Sequence, residues 1–363
     1  MPMALAARRV PMVVVALLSM AGGTWLGLVR IGWNLPLPWP DQLVAHGPLM
    51  VCGLLGTLIS LERAVAVGSR WGYAAPALVA AGALAVTVGA PGAWGPMLIT
   101  AGSLVLVAIL LALWRRHASL FLATMTIGAL TWSIGNAQWL GGAPVFRVVF
   151  WWLAFLVLTI AAERLELSRV LRPARVGRWP FVLASATVLG GVIATRWWPA
   201  QGVRTLGVGL LALTWWLARY DIARRTVHQL GLPRFMAVSF LGGYAWLGVG
   251  GAIASVTGVA MPGVVYDALL HAVFLGFVMS MVFAHAPVIF PAVLGLPLAY
   301  RPAFYLHVGL LHVSLLLRIV GDLVDSLGRW RVWGGLLNAA ALLLFMLNTG
   351  RSIASSGRQG GRS

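Results

Sequence analysis

Apolar runs long enough to cross a lipid bilayer recur from one end of this chain to the other, and no other feature constrains the fold as tightly. A crossing needs roughly 20 residues, each rising about 1.5 Å. The runs and their breakers predict spans over 10–30, 44–67, 73–92, 97–114, 118–140, 146–168, 179–197, 203–219, 235–258, 263–288, 302–323 and 331–349. The connections are short and carry turn residues, as in Asn34-Leu35-Pro36-Leu37-Pro38-Trp39-Pro40, Gly89-Ala90-Pro91-Gly92 and Gly295-Leu296-Pro297. None is long enough to hide a folded domain. Only 9% of the residues are charged and 60% are hydrophobic, whereas a soluble domain carries about 25% charged residues.

The expected fold is therefore an all-α, polytopic membrane bundle of about twelve transmembrane helices. It forms a single transmembrane domain over 1–350, followed by a disordered cytoplasmic tail over 351–363 that is rich in Ser, Gly and Arg. Arg8-Arg9 leading an apolar stretch resembles a signal peptide. That stretch runs on to about Arg30 without a cleavage site, so a retained first helix is expected. The chain has no evident internal repeat of the kind found in inverted-repeat transporters.

All 26 basic residues are arginine, and the net charge is +18. The arginines lie in short loops and form no continuous stripe, which argues against nucleic acid and for topology signals and headgroup anchors. With the amino terminus placed in the cytoplasm, 19 arginines fall on the cytoplasmic side, including Arg8, Arg9, Arg63, Arg70 and the run from Arg164 to Arg178. Six fall outside: Arg30, Arg147, Arg196, Arg204, Arg329 and Arg331. This asymmetry follows the positive-inside rule and puts both ends on the cytoplasmic side. Many of the tryptophans, such as Trp151-Trp152 and Trp197-Trp198, lie near helix ends and read as interfacial belts. The single cysteine, Cys52, excludes an internal disulfide and reads as a small packing residue.

Ionisable side chains inside hydrocarbon cost roughly 2.5–3.5 kcal/mol on insertion scales, so those that persist call for a partner or a cofactor. Of seven histidines, His117 and His228 fall at an interface and in a polar loop. His46 opens the second span, His271 and His285 lie on the tenth, and His307 and His312 on the eleventh. At 100° per residue, Asp267, His271 and His285 share a face within about 40°, flanked by Met281. His271 and His285 are then about 21 Å apart along the axis, too far to share one metal.

Two layers are expected. The outer gathers His46, Asp41, Asp267 and His271, with Asn136 and Gln138 nearby; the inner gathers His285 and His307, with Glu62 and Arg63. His312, near mid-depth, joins either layer or bonds a backbone carbonyl. Facing helices supply axial nitrogens to haem, so a haem between His46 and His271 is a reasonable outer site, with Asp267 taking the spare ring N–H of His271. His285, His307 and His312 are the candidate metal ligands of the inner part. Gly53 and Gly56, with Thr57, leave room along the second span for a flat macrocycle or for close helix packing. Arg318 and Asp322, four residues apart, are expected to pair.

The segments HGPLMVCGLLGTLISLER (His46 to Arg63) and DALLHAVFLGFVMSMVF (Asp267 to Phe283) resemble the histidine-bearing helices of the NnrS family, and the helix count is similar to that of haem-copper oxidase subunit I. The resemblance covers about a tenth of the chain. It implies haem and/or copper, with His46 and His271 as ligands, and a role in nitric oxide response in denitrifying bacteria. It departs at Ala45 and Gly47, which flank the first site, and no histidine lies within 179–197, which speaks against an oxygen-reducing centre of the oxidase kind. The resulting expectation is an inner-membrane haem or copper protein that meets the lipid bilayer and respiratory or denitrification proteins. The alternatives are a small-solute or proton-coupled transporter, with Asp267, His271 and His285 as stations, and an assembly partner of a respiratory complex.

Overall fold

A computed structural model describes residues 2–37, 40–168, 175–295 and 298–360; the side chains of 2–8, 40, 41, 175, 176, 325 and 356–360 lie outside that description. The described residues are helical and contain no strand. Twelve long helices follow in order: α1 Pro2–Arg30, α2 Gln42–Val67, α3 Ala74–Thr87, α4 Trp94–Arg116, α5 Leu120–Leu140, α6 Val145–Ser168, α7 Arg175–Ala194, α8 Pro199–Tyr220, α9 Leu232–Thr257, α10 Val264–Leu294, α11 Phe304–Leu323 and α12 Gly328–Gly360. Ten of them are long and apolar enough to cross a membrane. The exceptions are α3 and α8. At 14 residues α3 rises only about 21 Å, against a hydrocarbon core of about 30 Å. Along its apolar length α8 carries Gln201, Arg204 and Arg219.

Where one domain was expected, the helices group into two compact units. The first is Met1–Phe155 with Pro291–Gly295, and the second is Leu156–Phe290 with Leu296–Ser363. The expected tail also differs. Instead of ending near 349, α12 continues to Gly360, and Ser352 within it is fully buried, its hydroxyl donating to the Ala299 carbonyl at 2.5 Å.

Small residues make both units dense. In the first, α3 and α4 touch through glycine: a Cβ on Gly82 would stand 2.8 Å from the Gly95 carbonyl, and one on Gly102 would stand 2.9 Å from that of Ala75. In the second, a Cβ on Gly191, Gly202 or Gly207 would collide with the backbone nitrogen of Leu206, Thr195 or Ser255 respectively, so α7, α8 and α9 meet main chain to main chain. Within lipid such close approach replaces the hydrophobic effect as the source of cohesion. Gly321 meets the Arg331 nitrogen and Gly334 the Arg318 nitrogen, so α11 and α12 are joined in the same way.

Arg164, expected to be one of a run of topology arginines, is a core residue. Its Nε and Nη2 donate to the two carboxylate oxygens of Asp221 at 2.7 and 2.8 Å, and its guanidinium lies 3.9 Å over the Phe240 ring. Both side chains are at most 1% exposed. Asp221 Oδ1 also accepts the Ala223 N–H at 2.7 Å, tying the end of α8 to the following turn. A two-pronged pair of this kind offsets the desolvation of two charges through good geometry and an extra hydrogen bond. Of the rest of that run, residues 169–174 lie outside the described residues, and Arg175 and Arg178 fall in the first turns of α7.

Candidate functional site

The two helices that carry the resembling segments share a rare local structure. Within α2, three α-helical residues, His46–Pro48, are followed by a π-helical stretch, Leu49–Gly56. Within α10, His271 is followed by a second, Ala272–Val278. Hydrogen bonds of the i→i+5 type mark both: the N–H of Thr57 reaches the Cys52 carbonyl, and that of Met279 reaches Phe274. Runs this long are unusual, and π-bulges collect at functional sites. Both here begin within three residues of a histidine. The wider winding also rotates the turns beyond it, so the shared face of His271 and His285 expected from an α-helical period does not carry across Ala272–Val278.

A second pattern concerns imidazole protons. His46 Nδ1 lies 2.7 Å from the Gly23 carbonyl of α1, and the ring rests against Gly27, where an added Cβ would stand 2.9 Å from Cε1. Gly23 and Gly27, one turn apart, thus form the groove that holds this ring. His271 Nδ1 lies 2.9 Å from the Asp267 carbonyl and 3.3 Å from its carboxylate, and His285 Nδ1 lies 3.0 Å from the Met281 carbonyl. A carbonyl only accepts, so each of these rings donates a proton from Nδ1. Metal-ligating imidazoles commonly donate their second ring N–H in this way, and the carbonyl fixes the ring's orientation.

His307 and His312 have the opposite tautomer. Trp246 Nε1 donates to His312 Nδ1 at 2.9 Å, so the ring proton sits on Nε2. Asn348 Nδ2 donates to the Ala303 carbonyl at 3.2 Å, which orients its amide, and also faces His307 Nδ1 at 3.3 Å. His307 is enclosed by the rings of Phe235, Phe283, Phe304 and Phe345, with centroids 4.8–6.2 Å away. Neither ring keeps a lone pair for a metal while these bonds hold. Both are hydrogen-bonded at Nδ1, while the buried Nε2 of each has no hydrogen-bond partner among the described residues.

Among the described residues, no three of His, Cys, Asp and Glu come together as a group able to hold a metal ion. His285, His307 and His312 thus do not make a three-ligand centre. Of the outer layer, Asp267 and His271 are together in the second unit, His46 is in the first, and the side chain of Asp41 lies outside the described residues. Arg318 does not pair with Asp322. It donates to Asp267 Oδ2 from Nη2 at 2.8 Å and from Nε at 3.3 Å, while Arg331 Nε stands 2.8 Å from Asp322 Oδ1. A fully buried Asp322 thus draws in an arginine that topology alone had placed outside.

In the first unit the room expected beside α2 is filled. Gly53 packs on Ser19 and Ala83, and Gly56 on the Trp132 ring, so these glycines serve close packing and leave no slot for a macrocycle. Asn136, fully buried, belongs to a polar network in this core. Its Oδ1 accepts from Trp152 Nε1 at 2.9 Å and from the Cys52 thiol at 3.6 Å, while Trp132 Nε1 donates to Cys52 Sγ at 3.4 Å. Cys52 is therefore a hydrogen-bonding link as well as a packing residue. Neither the π stretches nor the tautomers leave a mark in sequence. The Arg164–Asp221 pair left one, since Asp221 is among only eight acidic residues in 363.

These features define a polytopic helical membrane protein whose spans hold three imidazoles oriented by backbone carbonyls. A family model described as a domain of unknown function, DUF8744, matches residues 9–353, and the chain belongs to that family. No curated protein matches it.

Proposed function

We propose that this protein binds haem, copper or both through His46, His271 and His285, and acts in nitrogen-oxide handling or a related redox process in the bacterial inner membrane. The observation that carries the reading is that all three rings, each inside a span, are oriented by an Nδ1–H donated to a backbone carbonyl, as metal-ligating imidazoles commonly are. The donor set suits haem, which asks for one or two protein nitrogens, better than a cage of three or four protein ligands. The similarity of the two π-helical segments to NnrS helices supports the same reading, with His46 and His271 as the matching positions. When bound, haem or copper supplies one-electron chemistry and an affinity for small molecules such as nitric oxide. The chain's own part is to hold the imidazoles: Gly23, Asp267 and Met281 keep the proton on Nδ1, and Arg318 keeps the Asp267 carboxylate paired beside His271.

For topology, we take all twelve helices to cross, with both ends cytoplasmic. The 19-to-6 arginine bias supports this orientation.

A visible spectrum and metal analysis of purified protein test the function. A Soret band or stoichiometric copper is expected, lowered by His46→Ala, His271→Ala and His285→Ala and unchanged by His117→Ala. Protein with neither chromophore nor metal after expression in haem- and copper-replete cells sinks the proposal.

A further inference from the structure

Three side chains in the first unit are fully buried, yet each has a polar atom with no hydrogen-bond partner among the described residues: Asn136 Nδ2, Thr57 Oγ1 and Ser60 Oγ. The hydroxyls stand out against the habit of this same unit. Ser19, Thr124, Thr126 and Ser133 all donate to the carbonyl four residues back, at 2.8–3.1 Å. For Thr57 and Ser60 the residues four back are Gly53 and Gly56, both in the π-helical stretch, and neither bond is made. Asn136 is held by its other end, Oδ1 being occupied by Trp152 and Cys52, so its amino group is presented in a fixed direction with two hydrogens to give.

Buried polar atoms without protein partners are ordinarily met by internal water. The spacing fits a line of it. Thr57 and Ser60 are three residues apart, a rise of about 4.5 Å, which one water spans with two bonds of about 2.8 Å each. Cys52, bonded to Asn136, precedes Thr57 by five residues, one turn of the π-helical stretch. Further along α2, beyond Ser60, come Glu62 and Arg63, paired at 2.5 Å.

We infer that the first unit carries a water-lined proton path along α2, from Asn136 past Thr57 and Ser60 towards the Glu62 end of the helix. A hydroxyl donates and accepts at once, so each can take a proton from one water while releasing its own to the next, and no charge is left in the hydrocarbon. Such a path needs no metal.

The test uses metal-free protein in potassium-loaded vesicles with valinomycin and an internal pH dye. Vesicles holding the natural protein should acidify several-fold faster than empty ones, and Thr57→Val with Ser60→Ala should bring the rate close to that of empty vesicles. Asn136→Leu alone should lower it. Equal rates for empty and protein-bearing vesicles, or for the double variant and the natural protein, overturn the inference. A high-resolution map adds an independent check: water within about 3 Å of Thr57 Oγ1 and Ser60 Oγ supports the path, and a dry contact there ends it. Because no metal enters either measurement, loss of the haem reading would leave this result standing, and the reverse holds too.

Discussion

A neutral imidazole has two nitrogens and one proton, and the neighbour on one nitrogen decides what the other can do. In this chain the neighbours divide five membrane histidines into three with a carbonyl on Nδ1 and two with a donor there. Sequence showed where the rings lie along the chain but not this division, because the deciding partners are backbone carbonyls or distant side chains such as Trp246, 66 positions from His312. Gly27→Val should displace His46 from its groove and, on the proposed reading, lower any Soret band or bound copper, with the protein still eluting as a single species in detergent. Trp246→Phe should cost about 1 kcal/mol in thermal unfolding, the worth of one hydrogen bond, and leave any Soret band in place. The Arg164–Asp221 pair is a sterner case. Asp221→Asn strands a buried guanidinium and should cost about 3–5 kcal/mol, whereas Arg164→Met combined with Asp221→Leu should recover most of that loss. Unfolding in mild denaturant would separate the two.

At the scale of the helix, the apolar runs were legible because lipid demands about twenty such residues and tolerates no open backbone. All twelve expected spans are helices in the structure, most with ends shifted by a few residues, while α1 begins well before 10 and α12 runs on to Gly360 rather than stopping near 349. The π-helical stretches were not legible, since Leu49–Gly56 and Ala272–Val278 are as apolar as any α-helical run. Helical phase therefore served well for Asp267 and His271, which precede the second stretch, and failed for His271 with His285, which straddle it. Deleting Leu54 should return α2 to an α-helical period and remove the i→i+5 bond from Thr57 to Cys52. The shortened protein should insert and remain folded, and on the proposed reading its Soret band or copper content should fall, as read by the spectrum and by far-UV circular dichroism.

For the whole molecule, composition and arginine placement spoke clearly about the class of protein and only indirectly about its path. Ten helices are long and apolar enough to cross a membrane, while the proposed crossing of α3 and α8 rests on the arginine count. A cysteine introduced at His117, with Cys52 replaced by alanine, separates the two routes. If α3 crosses, that residue is cytoplasmic and resists a membrane-impermeant thiol reagent applied from outside to intact cells. Labelling there would leave α3 as a partial helix. The contacts within the second unit also differ in kind. Glycines weld α7 to α8 and α8 to α9 on one side, and α11 to α12 on the other. Between those welded sets α10 is seated differently: Gly250 meets the side chain of Val273, Gly243 that of Met281, and Gly276 those of Trp246 and Leu315. Side chains can change rotamer where main chains cannot yield, so a methyl group added at Gly250 or Gly276 should be absorbed more readily than one at Gly202 or Gly207, as read by thermal unfolding.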